Sequence, residues 1–335
     1  MKFSIGYRVQ SDNSLVNEII NRKDSVYEVY CSWGAFPSGR NDQTRSEGLT
    51  PWEAQAKQIA DLDLLAKAGL KLNLLFNANC YGERAQSRQL FNEIGETIDF
   101  ATKFNLTSVT TTSPLIAKFV KQNFENIDVR ASVNMKIGTP HGLAYVSEYF
   151  DSFYIEREQN RNFKLLKELR KWCDDNGKQM YLLANSGCLN NCSAHTFHDN
   201  LVAHEKEIAK MDNGYVFESV CRKYLKDENN REWLLSGTSF IRPEDVYLYE
   251  DLVPAMKLAT RVHQNPVRVL RAYIDNRRCV GNIAGLLEPD HSGVIYPYIL
   301  DNGKINVKIE NEKLIYENAN AFVKLEENYA YQQND

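Results

Sequence analysis

Between Asn185 and Asn200 the chain reads NSGCLNNCSAHTFHDN, which gathers Cys188, Cys192, His195, His198 and Asp199 into one short run. Thiols and imidazoles at this spacing suit three chemistries: zinc coordination, iron–sulfur ligation, or a cysteine nucleophile beside its base. The run is rich in Gly and Asn and carries no apolar periodicity, so packing does not account for its cysteines. Cys173 is different, because it lies on the apolar stripe of a helix and reads as a small core side chain. Cys279, in NRRCVGN, has the same plain reading, and Cys31 stands between packing and ligation.

Cys188, Cys192, His195 and His198 have the types to close a zinc site by themselves. Structural zinc, however, serves folds that lack a core, and a chain of this length does not lack one. The run C-L-N-N-C-S-A-H also departs from the three-cysteine radical motif, since His195 stands where its last thiol belongs. A Cys–His hydrolytic dyad is chemically open but leaves the cysteines at other strand ends without a role. No H-E-x-x-H and no G-x-S-x-G occurs, and no catalytic residue is singled out.

The elements that must position these residues keep a βα rhythm. Apolar runs such as KFSIGY, VYEVYC, KLNLLFN, LTSVTT, IDVRASVN, DSFYIER and QMYLLANS alternate with stretches of helical period. An eighth strand is expected at TSFIRPED, leading into a helix over VYLYEDLVPAMKLATRVHQ. The strands are short and apolar enough to be covered on both faces, as parallel strands are. Leu165, Leu166, Leu169 and Trp172 make the stripe of one covering helix. Eight such units predict an α/β fold, a TIM (β/α)8 barrel over residues 1–264. No G-x-G-x-x-G succeeds the first strand, which weakens the doubly wound alternative. Residues 265–335 are expected to form a C-terminal helix, VRVLRAYIDNRR, and a small β meander turning at Asp301-Asn302-Gly303, packed on the barrel.

In such a barrel function gathers at the C-terminal ends of the strands. Those ends carry Asn77, Asn79 and Cys80 after the third strand, Asn134 after the fifth and Glu156 after the sixth. Cys188 and Cys192 come after the seventh, Glu218 and Cys221 lie before the eighth, and Arg242 falls at its end. Asn77, Asn79, Asn134, Glu156 and Arg242 are candidate substrate contacts, the amides by hydrogen bonding and Arg242 by pairing with a carboxylate or phosphate. Structural alternatives stand beside them: Asn suits left-handed loop positions, and Arg242 has Glu156 or Glu158 as possible partners. Asp199 is expected to cap the helix immediately after it.

The 40 Lys+Arg and 44 Asp+Glu give a net charge of -4, so no global basic field points to nucleic acid, though a local patch stays open. The start of the chain turns polar too early for an export signal, and no run is long and apolar enough to span a membrane. Seven cysteines, an odd number, without such a signal fit reduced thiols in the cytoplasm.

Taken in order, N-S-G-C-L-N-N-C, F-H-D-N, the E-x-x-C of Glu218 to Cys221 and F-I-R-P-E-D resemble the collagenase-like peptidase family, the thirty-second family of the unknown-mechanism peptidase class. The resemblance spans most of the barrel and implies a TIM-like fold. Through related branches it implies a four-iron, 4Fe–4S cluster used in hydroxylation of RNA bases or of quinone precursors. It carries over Cys188, Cys192 and Cys221 as ligands, with Cys80 favoured over Cys31 as the fourth and zinc as the alternative metal. The implied partners are a small-molecule or RNA substrate, with an electron donor or a paired family member. The RNA-modifying signature G-A-L-C-x-x-x-x-G-x-C is replaced here by C-L-N-N-C, which marks a short, divergent branch whose substrate is not inherited. A non-catalytic scaffold held by the metal site is the second reading, and a peptidase-like hydrolase the third.

Overall fold

The computed structural model describes residues 1–34, 36–39, 48–276 and 279–325. Eight parallel strands close a barrel in sequence order: β1 (Lys2–Gly6), β2 (Val26–Cys31), β3 (Leu72–Phe76), β4 (Leu106–Thr111), β5 (Asp128–Ala131), β6 (Ser152–Tyr154), β7 (Gln179–Leu183) and β8 (Ala255–Leu258). The chain is a TIM barrel. Between the strands run α1 (Ser14–Asn21), α2 (Pro51–Lys67), α3 (Arg88–Ala101), α4 (Pro114–Asn123), α5 (Pro140–Val146) and α6 (Phe163–Asp175). Their start signals are local: Thr50 and Glu53 form a capping box with Pro51 behind α2, and Ser87, Ser113 and Thr139 cap α3, α4 and α5. No helix among the described residues is long and apolar enough to cross a membrane.

The long connection from β7 to β8 holds α7 (His195–Ala203), α8 (Glu205–Ile208), α9 (Val220–Lys226) and α10 (Trp233–Ser236). Here the sequence expectation needs correction. TSFIRPED is not the eighth strand: Phe240 and Ile241 are buried in the core, and Pro243 opens a 3-10 helix over Pro243–Tyr249. The eighth strand is AMKL, read from sequence as helix, and it pairs Leu183 with Lys257 on one side and Ser4 with Lys257 on the other. Lys257 disguised it, because a charge inside a four-residue run suggests an exposed helix face. Its ammonium instead lies inside the barrel, 4.0 Å from the Tyr30 ring centroid.

With β8 moved, α11 (Pro266–Ile274) becomes the eighth barrel helix. It packs on α1 and β1, so the barrel's repeat runs past residue 264. Beyond it lie α12 (Ser292–Ile295), β9 (Tyr298–Leu300), β10 (Asn306–Glu310), β11 (Lys313–Glu317) and β12 (Phe322–Lys324), which pair as β10 with β11 and β12 with β9. The hairpin turn is Asn311-Glu312, both at positive φ, as a two-residue type I′ loop requires. Asp301-Asn302-Gly303 is instead pinned as a 3-10 turn by the buried Asn302 amide, which donates to Glu244 Oε1 at 2.6 Å and to the Cys279 carbonyl at 2.8 Å. Arg277, Arg278 and the end of the expected extension, 326–335, lie outside the described residues.

The barrel interior is polar. Glu28 of β2 accepts from Ser4 of β1, Asn73 of β3, Ser108 of β4 and Arg130 of β5, the last at 2.6 Å. Arg130 also donates to Ser152 of β6 and Asp128, and its guanidinium stacks 4.1 Å from the Tyr181 ring centroid of β7. Burial alone would raise the Glu28 carboxyl, but Arg130 and the Asn73 bond carry it below the usual range. One ion pair thus ties six strands, β1 to β6, together through its hydrogen bonds.

Candidate functional site

The loop after β7 is fixed on several sides. Asn185 donates to the Ala259 and Leu286 carbonyls and accepts from Ala259 N–H, which staples the ends of β7 and β8. Gly187 has no room for a side chain, since a Cβ there would stand 2.4 Å from the Pro289 carbonyl oxygen, and its own carbonyl meets His291 Nε2 at 2.9 Å. Asn190 N–H donates to the Gly237 carbonyl, and Asn191, at φ 56, donates its N–H to Glu158 Oε1 at 2.8 Å. The Asn and Gly content of the motif is therefore the geometry that aims Cys188 and Cys192.

Those two thiols share a cavity of roughly 1470 Å³ with Cys221 of α9. Burial raises the Cys221 thiol first, and the nearness of Cys188 and of Cys192 raises it further. His195, Asp199, Phe197 and Phe217 also face this cavity. Asp199 is not a helix cap. The helix α7 begins at His195, which places Asp199 one turn inside it, buried, with His195 Nε2 at 3.4 Å and Asn79 Nδ2 donating at 3.1 Å.

The other expected residues divide. Cys80 is half-buried and accepts from Gly82 N–H at 3.3 Å; it does not line the cavity, but its loop meets α7 through the Asn79–Asp199 bond. Cys31 is wholly buried beside Gln58, and burial pushes its thiol up to about 12, as it does for Cys173. Asn77 and Asn134 come together against Gly39, where a Cβ would stand 2.7 Å from Asn134 Nδ2 and 3.2 Å from Asn77 Nδ2. Glu156 is half-buried beside Gly138, its carboxyl raised by burial and then by Glu158.

Arg242 is not at the barrel mouth, because the strand expected to carry it there does not exist. It is buried under the C-terminal hairpin, where it pairs with Asp245 at 2.6 and 3.0 Å and lies 5.1 Å from the Tyr316 ring centroid. The residue that sequence reasoning passed over is Arg157, between Glu156 and Glu158 in the run read for its carboxylate. It lines the cavity and donates to Cys188 Sγ at 3.2 Å and to Asn134 Oδ1 at 3.2 Å. A lone Arg flanked by two acids looks like a solvated pair, and nothing local distinguishes it.

No family model matches the chain. Over 310 residues it is 25% identical to an uncharacterized protease of Methanocaldococcus jannaschii, covering 88% of this chain and 87% of that protein. Among solved structures it is similar to a U32 peptidase, with a TM-score of 0.54 over 77% of this chain and 91% of the other at 11% identity. The second likeness bears on the fold, and it agrees with the closed barrel.

Proposed function

We propose that the chain is an enzyme of the U32, collagenase-like lineage whose Cys188, Cys192 and Cys221 ligate an iron–sulfur cluster beside a cavity that takes a small aromatic molecule or an RNA base. The observation that supports this is the meeting of three thiols, from two separate segments of the β7–β8 connection, in one cavity. Thiolates are the donors such clusters take. Among the described residues no group of three His, Cys, Asp or Glu side chains is placed to hold a metal ion, so zinc stays the alternative metal to be told apart by assay. Cys80, on the loop that touches α7, remains the proposed fourth ligand, since Cys31 is enclosed by the core.

When bound, the cluster supplies one-electron transfer at the cavity wall. The chain's own residues bind and orient: Phe197 and Phe217, with ring centroids 5.3 Å apart, offer an apolar wall to a planar ring, and Arg157, steadied by Asn134, brings a guanidinium to the cavity. The neighbouring His195 and Asp199, 3.4 Å apart and steadied by Asn79, bring an imidazole and a carboxylate to the cavity. That same pair near Cys192 favours the third reading, a thiol hydrolase, in keeping with the name of the archaeal relative.

The test is anaerobic purification, then iron, sulfide and zinc assays on the wild type and on Cys188→Ser, Cys192→Ser and Cys221→Ser. Iron and sulfide in the wild type, lost in each variant, are the expected result. Zinc without iron, or full iron in Cys221→Ser, defeats the cluster. Peptide hydrolysis that survives removal of iron and vanishes in Cys192→Ser establishes the hydrolase instead.

A further inference from the structure

Arg157 leaves the end of β6 and is 5% exposed. Its two hydrogen-bond partners are a thiol, Cys188 Sγ, and an amide, Asn134 Oδ1, each 3.2 Å away. Glu156, its chain neighbour, feels its charge but is turned toward Gly138, itself half-exposed. A guanidinium withdrawn from water needs an opposing charge close by, and a planar fork is suited to hold two acceptors in fixed directions. Thiolate-ligated iron–sulfur groups carry net negative charge, and their reduction potential answers to that charge, to N–H donors on sulfur and to exposure.

Resting on the cluster reading above, we infer that Arg157 is a positioning residue that holds Cys188 by an N–H···S bond, sets a positive charge against the ligated thiolates, and so raises the reduction potential of the site. Its second arm, on Asn134, fixes the guanidinium and links the thiol site to the amides gathered at Gly39.

The experiment uses the full chain, wild type and Arg157→Gln, Arg157→Lys and Asn134→Ala, reconstituted with ferrous iron and sulfide without oxygen. Iron and sulfide per chain are assayed, and the midpoint potential is read by a redox titration monitored optically and by electron paramagnetic resonance. The expected result is equal iron in all four, a midpoint shifted to lower potential in Arg157→Gln, and a smaller downward shift in Arg157→Lys, which keeps the charge but loses the fork. Loss of the cluster from Arg157→Gln but not from Arg157→Lys supports the same role. Should both lose it, Asn134→Ala decides: a midpoint below that of the wild type supports the role, and an unshifted one overturns it. An Arg157→Gln protein with full iron and the wild-type midpoint also overturns it. A wild type that takes up neither iron nor sulfide removes the cofactor itself, and Arg157's role with it; the iron assay tells that failure from the others.

Discussion

Two of the regions where polar side chains are buried in this molecule are finished differently. Inside the barrel Glu28 and Arg130 are met from four other strands and stacked by Tyr181, and no buried polar side-chain atom of Glu28, Asn73 or Arg130 lacks a partner. On the loops flanking the β7–β8 connection the fit is incomplete: Asn79 Oδ1 and His291 Nδ1 are buried without a hydrogen-bond partner, and in the connection itself Met211, Tyr215 and Val216 stand exposed. A closed polar network specifies a fold and has nothing left to bind with. Exposed apolar side chains such as Met211, Tyr215 and Val216, which line the cavity, are surface that a ligand covers. The contrast assigns stability to the first region and chemistry to the second.

The sharpest way to break that contrast is Arg130→Met, which keeps the bulk and leaves Glu28 uncompensated in the barrel. Removing one partner of a buried pair costs about 3–5 kcal/mol, so a large fall in the urea midpoint is expected. Phe197→Ala, on an exposed ring in the connection, should stay within about 0.5 kcal/mol of the wild type. Equal effects from the two would dissolve the distinction. The double change Glu28→Gln with Arg130→Met should recover part of the loss, because a neutral amide costs less to bury unpaired than a carboxylate does.

How much of this was legible in the sequence depends on which interactions are local. Seven strands and the helix stripes were, since alternation and capping are read within a few residues, as at Thr50-Pro51 and Glu53. The eighth strand was not, because AMKL becomes a strand only by pairing with β1 and β7. Glu28, Asn73 and Arg130 stand inside apolar runs, but that they face the barrel interior and meet there depends on pairings between distant strands. The shared cavity of Cys188, Cys192 and Cys221 was reachable through motif order. Arg157 was not: its significance lies in distances to Cys188 and Asn134 that no spacing encodes.

A middle-sized effect is expected where the C-terminal hairpin is latched to the barrel. Tyr316 OH donates to Asp245 Oδ2 at 2.6 Å and accepts from Arg242 N–H at 3.2 Å, all buried. Tyr316→Phe leaves that N–H without a partner and should cost about 1–3 kcal/mol in a denaturant titration. Arg242→Ala should likewise lower stability while iron content stays that of the wild type. Loss of iron with unchanged stability would instead move Arg242 to the functional side of the comparison.

The smallest effect tests whether the molecule keeps a carboxylate at a cost. Glu156 has its carboxyl raised from 4.5, by burial and then by Glu158, with Gln159, Lys136 and Arg157 pulling partly the other way. The native state therefore binds this proton more tightly than the unfolded chain. Between pH 4.5 and the raised native value stability falls as pH rises, and above that window the whole penalty is present. Glu156→Gln removes the penalty and should raise the melting temperature at neutral pH, by less than about 1 kcal/mol because solvent screens a half-exposed charge. The gain should shrink as pH falls through the window and vanish below pH 4.5. A variant no more stable at neutral pH would place Glu156 with the satisfied groups of the barrel. One that gains stability but binds substrate less well would place it with the unfinished ones, as a charge held for the cavity rather than for the fold.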